Sequence, residues 1–232
     1  MRTLFFFLFM LNGLIGNAQE TNVFYTPWYG GIGLHTISSR YSDGSTSIKA
    51  PLTYADVRAV FFTVKGYMDF GIPVVGYFLT GLIAAGGDLP DDNGEVSFLY
   101  AKGGWDVYKN DLFRIGIGAS LNAMLINVDG IAGYGASLES YGTISPLLYA
   151  KINAGPFLIA PVFEYNAVSW TNTSGTSRPG FSLGSHVIIP LGKRLGINLN
   201  PSFEKGKFKS DQGVSMTSSS VIFKAGIVIR PD

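Results

Sequence analysis

Cysteine is absent from this chain of 232 residues, and charged residues are scarce. Without cysteine the protein has no disulfide, no thiolate metal site and no lipid-modified N-terminal cysteine. Charged residues make up 14% of the chain, whereas a typical soluble domain has roughly 25%. This is too little charge to cover the surface of an ordinary soluble protein.

An excess of either sign of charge is also missing. The chain has 17 Lys and Arg, 16 Asp and Glu, and two histidines. It therefore offers no basic face for a polyanion, and we expect no nucleic-acid partner. Long apolar runs are lacking as well: residues 70–87 come closest to a membrane-spanning helix of ~20 residues, but Pro73 and several glycines interrupt them.

The N-terminal segment "MRTLFFFLFMLNGLIGNAQ" has the features of a secretory signal peptide. Arg2 is followed by an apolar run over residues 4–11, and Gly16 and Ala18 occupy the −3 and −1 positions of a cleavage site. An N-terminal membrane anchor is disfavoured because the run is shorter than the ~20 residues that span a bilayer. We predict a signal peptide at residues 1–18 and a single mature domain at residues 19–232.

Apolar residues alternate with small or polar ones in "LFRIGIGASLNAML", residues 112–125. A transmembrane strand presents one face to lipid and the other to a barrel interior, so such alternation persists for ~9–11 residues. Two further segments predict the same arrangement. Their outward residues are Leu195, Ile197, Leu199, Phe203, Val221, Phe223, Ala225, Ile227 and Ile229, and their inward residues are Asn198, Asn200, Ser202, Lys224, Gly226 and Arg230.

The alternation predicts about ten strands, within a range of eight to twelve. They are Trp28–Ser38, Val57–Phe70, Val74–Ala85, Val96–Tyr108, Leu112–Ile126, Tyr141–Asn153, Phe157–Trp170, Phe181–Leu191, Leu195–Glu204 and Ser219–Arg230. Tight turns are predicted at 71–73, 109–111, 154–156 and 192–194, and long polar loops at 39–56, 86–95, 127–140, 171–180 and 205–218. This pattern predicts an all-β fold, a closed antiparallel up-and-down barrel, because an open edge in lipid leaves backbone groups unpaired.

Aromatic residues cluster near the ends of the predicted strands. Three such pairs are Trp28 with Tyr29, Trp105 with Tyr108, and Tyr165 with Trp170. We interpret them as girdles at the two membrane interfaces. The alternative is the general preference of aromatic residues for strands.

Together, the signal peptide, the alternating strands and the alternation of tight turns with long loops resemble the small outer-membrane β-barrel proteins of Gram-negative bacteria, some of them porin-like. The resemblance covers nearly all of the mature chain, without a diagnostic motif. It implies localisation in the cell outer membrane, contact with outer-membrane lipid, insertion by the barrel assembly machinery, both termini in the periplasm, and long outer loops that are candidates for binding an extracellular ligand.

Charged and histidine side chains of both signs fall on the inward face of the predicted strands. They are His35, Lys65, Asp69, Lys102, Asp106, Arg114, Lys151, Glu164, His186, Glu204 and Lys224. One interpretation is a plug of ion pairs, because a barrel of this size has little interior room beyond its side chains. The other is a narrow polar conduit lined by the same residues.

Catalytic motifs of two families of barrel enzymes, the outer-membrane proteases and the lipid A deacylases, are not reproduced. Ser185 and His186 lie on opposite faces of one strand, as do His35 and Thr36. "GIGAS" lies inside a strand, "DLPDDNGEV" lacks the ligands of a calcium loop, and "NTS" at 172–174 matches a glycosylation site only formally. We therefore predict no catalytic residue, no cofactor-binding residue and no metal site.

The function that the sequence favours is a structural or surface-loop interaction scaffold with a side-chain-filled lumen. Opposite charges that pair across a confined lumen would obstruct a pore. Two alternatives stay open: a narrow channel for small solutes, and an outer-membrane hydrolase that acts on lipid or peptide.

Overall fold

A computed structural model describes residues 28–63, 65–73, 94–127, 139–171, 180–209 and 215–230. These residues form eleven strands: β1 (Trp28–Ser42), β2 (Ser47–Phe62), β3 (Gly66–Pro73), β4 (Gly94–Lys109), β5 (Phe113–Asn127), β6 (Glu139–Ala154), β7 (Phe157–Asn166), β8 (Val168–Thr171), β9 (Gly180–Pro190), β10 (Leu195–Lys209) and β11 (Ser215–Ile229). The predicted signal peptide lies outside the described residues and stays a prediction. Within those residues, no helix has the length and apolar character needed to cross a membrane.

The strands close into a barrel. Strands adjacent in the chain pair antiparallel, and β1 pairs with β11 to complete the circle. β7 and β8 follow one another along the same partner, β6, with a break at Ala167. The wall therefore has ten strand positions in meander order, which confirms the predicted fold.

The polarity of this barrel is the reverse of that of a soluble domain. On β11, Val221 is 60% exposed and Ile227 56% exposed, while Lys224, which lies between them, is buried. Ile117 of β5 is likewise exposed and Arg114 buried. An exterior of Val, Ile, Leu and Phe around an interior of charged residues is stable only when lipid surrounds the wall.

Two of the predicted long loops were wrong, because the strands continue through most of both segments. β1 and β2 run on to a final pair, Ser42 with Ser47, so the loop predicted at 39–56 shrinks to a turn at 43–46. In the same way, β10 and β11 occupy much of 205–218. The apolar alternation stops earlier than the strands do, since a strand beyond the lipid needs no apolar outer face.

Asp43 organises the turn between β1 and β2. Its Oδ1 accepts hydrogen bonds from the backbone N–H groups of Ser45 at 2.8 Å and Thr46 at 2.7 Å, and from the Ser45 hydroxyl at 2.9 Å. These donors stabilise the carboxylate and hold the pKa of Asp43 below its ordinary value, the backbone bond from Thr46 having the largest effect.

The predicted strand Val57–Phe70 was also wrong, because it joins parts of two strands. The chain turns at 63–65, and β3 then pairs with β2, placing Gly71 opposite Arg58 and Pro73 opposite Asp56. The predicted turn at 71–73 is consequently strand, and the predicted strand Val74–Ala85 lies outside the described residues. Because Phe62 pairs with Tyr67, an even number of residues separates the last pair, and the inward positions change from even numbers on β2 to odd numbers on β3. Arg58 therefore faces into the barrel.

The aromatic girdle is confirmed at several positions and wrong at one. Trp105, Tyr108 and Tyr165 are exposed on the outer surface, with Trp105 75% exposed. Trp28 is fully buried inside the barrel, where it lies opposite Phe62 in the β1–β2 register. The side chain of Trp170 lies outside the described residues.

The depth of the lipid band can be tested on neighbouring strands. Leu199→Arg, at the middle of the apolar outer face of β10, should cost ~2–4 kcal/mol of folding free energy, whereas Thr217→Arg near the end of β11 should cost ~0–1 kcal/mol. Equilibrium refolding into lipid vesicles measures both. Equal costs at the two sites would contradict the assigned lipid face.

The Asp43 turn makes a prediction about pH. Because its pKa is lower in the folded protein than in the unfolded chain, the contribution of Asp43 to the turn is complete above the ordinary aspartate pKa and is lost as pH falls through the lowered one. Carbon-detected NMR titration should find the pKa below the ordinary aspartate value, and Ser45→Ala should raise it. A pKa at or above the ordinary value would be inconsistent with the hydrogen bonds to Asp43.

Candidate functional site

The barrel interior gathers ten of the eleven residues that the alternation placed inward. The exception is Lys65, which lies exposed in the turn at 63–65. The interior charges form three groups along the barrel: a central group around Arg58, a second group toward the tight turns and a third toward the longer connections.

Arg58 and Asp69 form the centre of the interior. The Arg58 Nε and Nη2 atoms each donate to an Asp69 carboxylate oxygen at 2.9 Å, a two-bond pairing that fixes both side chains. Arg58 Nη2 also lies 3.3 Å from Nδ1 of His186. Since β2 and β9 are not neighbours in the wall, this contact crosses the lumen.

Both ring nitrogens of His186 lie within contact distance of polar side chains. Its Nε2 lies 2.9 Å from the hydroxyl of Tyr67 and 3.5 Å from Oδ2 of Asp69, and its Nδ1 lies 3.2 Å from the side-chain amide nitrogen of Asn198. The ring also contacts Phe62 edge-on, with centroids 5.3 Å apart. His186 therefore joins β3, β9 and β10 across the interior.

The second group surrounds Asp106, near the tight turns. Asp106 pairs with Lys151 at 2.7 Å and lies 3.5 Å from Arg114, while its other oxygen accepts the Tyr149 hydroxyl at 2.8 Å. Lys151 also donates to the Thr63 carbonyl at 2.9 Å, so its ammonium ties the wall to the turn at 63–65. One carboxylate thus holds two cations and a phenol.

The third group lies toward the longer connections. Lys102 pairs with Glu164 at 2.8 Å, and Tyr100 donates to Asp56 at 2.8 Å. The Lys224 ammonium lies 3.5 Å from the centre of the Tyr100 ring, a cation–π contact. These residues adjoin a small polar recess of about 40 Å³, which His35 and Glu204 also line.

Beside the Asp106 group, on the tight-turn side, apolar side chains also fill the interior. Buried side chains there form one cluster, which includes Trp28, Val60, Phe62, Leu158 and Ile188. The cluster fills the lumen in the way that a soluble core fills a domain. Sequence alternation did not reveal it, because it predicted an interior of polar and charged residues alone.

Sequence analysis missed Asp56, Arg58, Tyr67, Tyr100 and Tyr149. The first two fell in the predicted loop and on the wrong face of the misplaced strand, and the tyrosines carry no charge to draw notice. A usable signal did exist for two of the tyrosines. Tyr149 lies opposite Gly116 and Tyr100 opposite Gly71, and a Cβ on either glycine would overlap the tyrosine ring.

Both histidines are buried in the interior. His186 has no exposed surface, and its ring nitrogens face Tyr67, Asp69, Arg58 and Asn198 rather than the hydroxyl of Ser185, which bonds a backbone carbonyl. His35 is buried 4.0 Å from Asp56. Among the described residues, no three His, Asp or Glu side chains are grouped to hold a metal ion.

No protein-family profile matches the sequence, and no curated protein matches it. Among solved structures, the outer membrane protease OmpT from Escherichia coli is similar with a TM-score of 0.40 at 7% identity, over 89% of this chain and 95% of that one. The attachment invasion locus protein Ail of Yersinia pestis gives 0.30 at 10% identity, over 88% and 99%. Neisserial surface protein A gives 0.30 at 9% identity, over 88% and 97%.

Likenesses at this level assign neither function nor site residues. The barrel's own construction is informative: a closed antiparallel wall, an apolar exterior and a charged interior are the properties of a transmembrane β-barrel. The chain therefore forms a transmembrane β-barrel.

The central ion pair can be tested by a double-mutant cycle. Arg58→Met and Asp69→Leu should each destabilise the barrel by ~3–5 kcal/mol, because each leaves a buried charge without its partner. The double variant should be less destabilised than the sum of the singles. Urea unfolding in lipid vesicles measures all three, and additive effects would show that the two side chains act independently.

Proposed function

We propose that this protein is an integral outer-membrane scaffold whose lumen is filled by its own side chains and whose outer loops are available for interaction. The observation that carries the proposal is that hydrogen bonds and ion pairs cross the interior above an apolar cluster. Contacts with outer-membrane lipid, with the barrel assembly machinery during insertion and with an extracellular ligand at the loops belong to the same proposal. A nucleic-acid partner does not.

The apolar cluster weighs most against conduction. A conducting pore needs a continuous wet path, and Trp28, Phe62, Leu158 and Ile188 are each at most 3% exposed. An ion that passed between these side chains would lose part of its hydration, at a cost in free energy.

The ion pairs add a second obstacle. Lys102 and Glu164 lie on β4 and β7, which are separated in the wall by β5 and β6, and their contact spans the interior. Tyr67 reaches His186 in the same manner. Separating such pairs leaves charges unpaired in a poorly solvated space, at a cost of several kcal/mol.

The alternatives have weaker support. The recess of about 40 Å³ has room for water molecules but extends over only part of the barrel length. An enzyme needs a nucleophile or base that a substrate can reach, whereas His186 is fully enclosed. The scaffold needs nothing beyond the closed wall and its connecting segments.

Planar-bilayer recording tests the proposal. The purified protein should show no steady conductance of porin size, because the apolar layer and the paired charges close the lumen. The variant Phe62→Gly/Ile188→Gly, which thins the apolar layer, should conduct more often than the wild type. Heat-modifiable migration on a gel serves as the control that each sample is folded.

Two results would replace the scaffold by the channel. One is large and stable single-channel steps in the wild type. The other is a change in those steps when Lys102 or Glu204, both at the recess, is neutralised.

A further inference from the structure

The outer face of four adjacent strands, β2, β1, β11 and β10, carries a row of exposed basic residues. The strand register places Lys49 opposite Arg40, Arg40 opposite Ser219, and Ser219 opposite Lys205. Lys207 follows two residues further along β10, on the same face. All four basic side chains are exposed, and we call them the basic row.

Among the residues that the structure describes, no acid neutralises the basic row. The acidic residues of these four strands, Asp56 and Glu204, belong to the inward set, and within the described part of the chain none of the four cations forms an ion pair. Asp43, in the turn beyond β1, is occupied by Ser45 and Thr46. Like charges directly opposite one another, as at Arg40 and Lys49, destabilise a strand pair, so the protein alone gains nothing from this arrangement.

On β10 and β11 the basic row lies immediately beyond the apolar exterior. One row nearer the tight turns, the outer face carries Ser38, Val221 and Phe203, with Val221 and Phe203 both exposed. From Leu195 to Phe203, eight residue steps of ~3.4 Å on a strand tilted by ~40° rise about 21 Å. This is close to the ~25 Å apolar band of outer-membrane barrels, which puts the basic row at the headgroup level.

Aromatic residues at the same level support this depth. Lys205 lies opposite Phe181, and Phe181 lies opposite Tyr165, so the row continues onto β9 and β7 as two exposed aromatic side chains. Aromatic residues favour the interface between lipid tails and water. One side of the barrel thus meets the headgroups with aromatic residues, and the other side with cations.

We propose that Arg40, Lys49, Lys205 and Lys207 bind the phosphate groups of a lipid in the outer leaflet, whose acyl chains lie along the apolar rows below. Three strand spacings of ~4.8 Å separate Lys49 from Lys205, about 14 Å in all. Long flexible side chains over this span suit a headgroup with more than one phosphate. The proposal rests on the outer-membrane placement, with the longer connections outside, and not on whether the lumen conducts.

The test is lipid retention by purified protein in a neutral detergent. The probes are a doubly phosphorylated lipid A and the same lipid with its phosphates removed, and native mass spectrometry measures the bound fraction. Arg40→Gln/Lys205→Gln should bind the phosphorylated lipid at least about tenfold more weakly than the wild type, since each cation near an anionic lipid contributes roughly fivefold. Binding should also weaken with added salt.

The matched control is Lys109→Gln/Lys193→Gln, which removes two exposed cations at the tight-turn end and should bind as the wild type does. Heat-modifiable migration shows whether each variant is folded, and the single variants Arg40→Gln and Lys205→Gln replace the double if it is not. Equal binding by the basic-row variant and the wild type would overturn the proposal. Equal binding of the lipid without phosphates, or displacement of the lipid by inorganic phosphate at constant ionic strength, would overturn it too, while the conductance result would stand.

Discussion

Backbone hydrogen bonding in lipid is the constraint on which this structure depends. A strand edge exposed to hydrocarbon leaves N–H and C=O groups unpaired, each at a cost of several kcal/mol, so the sheet has to close on itself. The pairing of β1 with β11 meets that requirement. Once ten strand positions close, every second side chain points into one narrow space, and the composition of that space decides whether the barrel is stable.

Filling the interior follows from this convergence. Charges brought together at low solvation are tolerated only with partners, and Arg58 with Asp69 and Asp106 with Lys151 are paired within hydrogen-bond distance. The Tyr149 ring packs over Gly116 of the wall, and its hydroxyl donates a hydrogen bond to Asp106 in the interior. The apolar cluster around Trp28 completes the filling on the tight-turn side, beside the Asp106 group.

The exterior follows the solvent that surrounds it. Where the wall contacts lipid tails, outward residues such as Leu199 and Ile227 are apolar, and where it meets the headgroups they become basic on one side and aromatic on the other. The strands continue beyond this level: β1 and β2 run on to the turn that Asp43 organises. The length of a strand is therefore set by backbone pairing, whereas the length of its apolar alternation is set by the thickness of the lipid.

The sequence by itself determined the fold class and most of the inward set, because alternation with period two is a local property that lipid on one face enforces over every strand. Only the tertiary structure decided that Arg58 faces inward, since this depends on where the chain turns between β2 and β3. It alone also decided that Trp28 is buried, since a register irregularity in β1 between Gly30 and Gly33 shifts the inward positions. It also decided the partners: Lys102 meets Glu164, and Tyr67 meets His186, across a lumen whose diameter exists only after closure. Alternation predicts whether a side chain faces the lipid or the lumen, but a contact between strands that are not neighbours depends on the curvature of the closed wall.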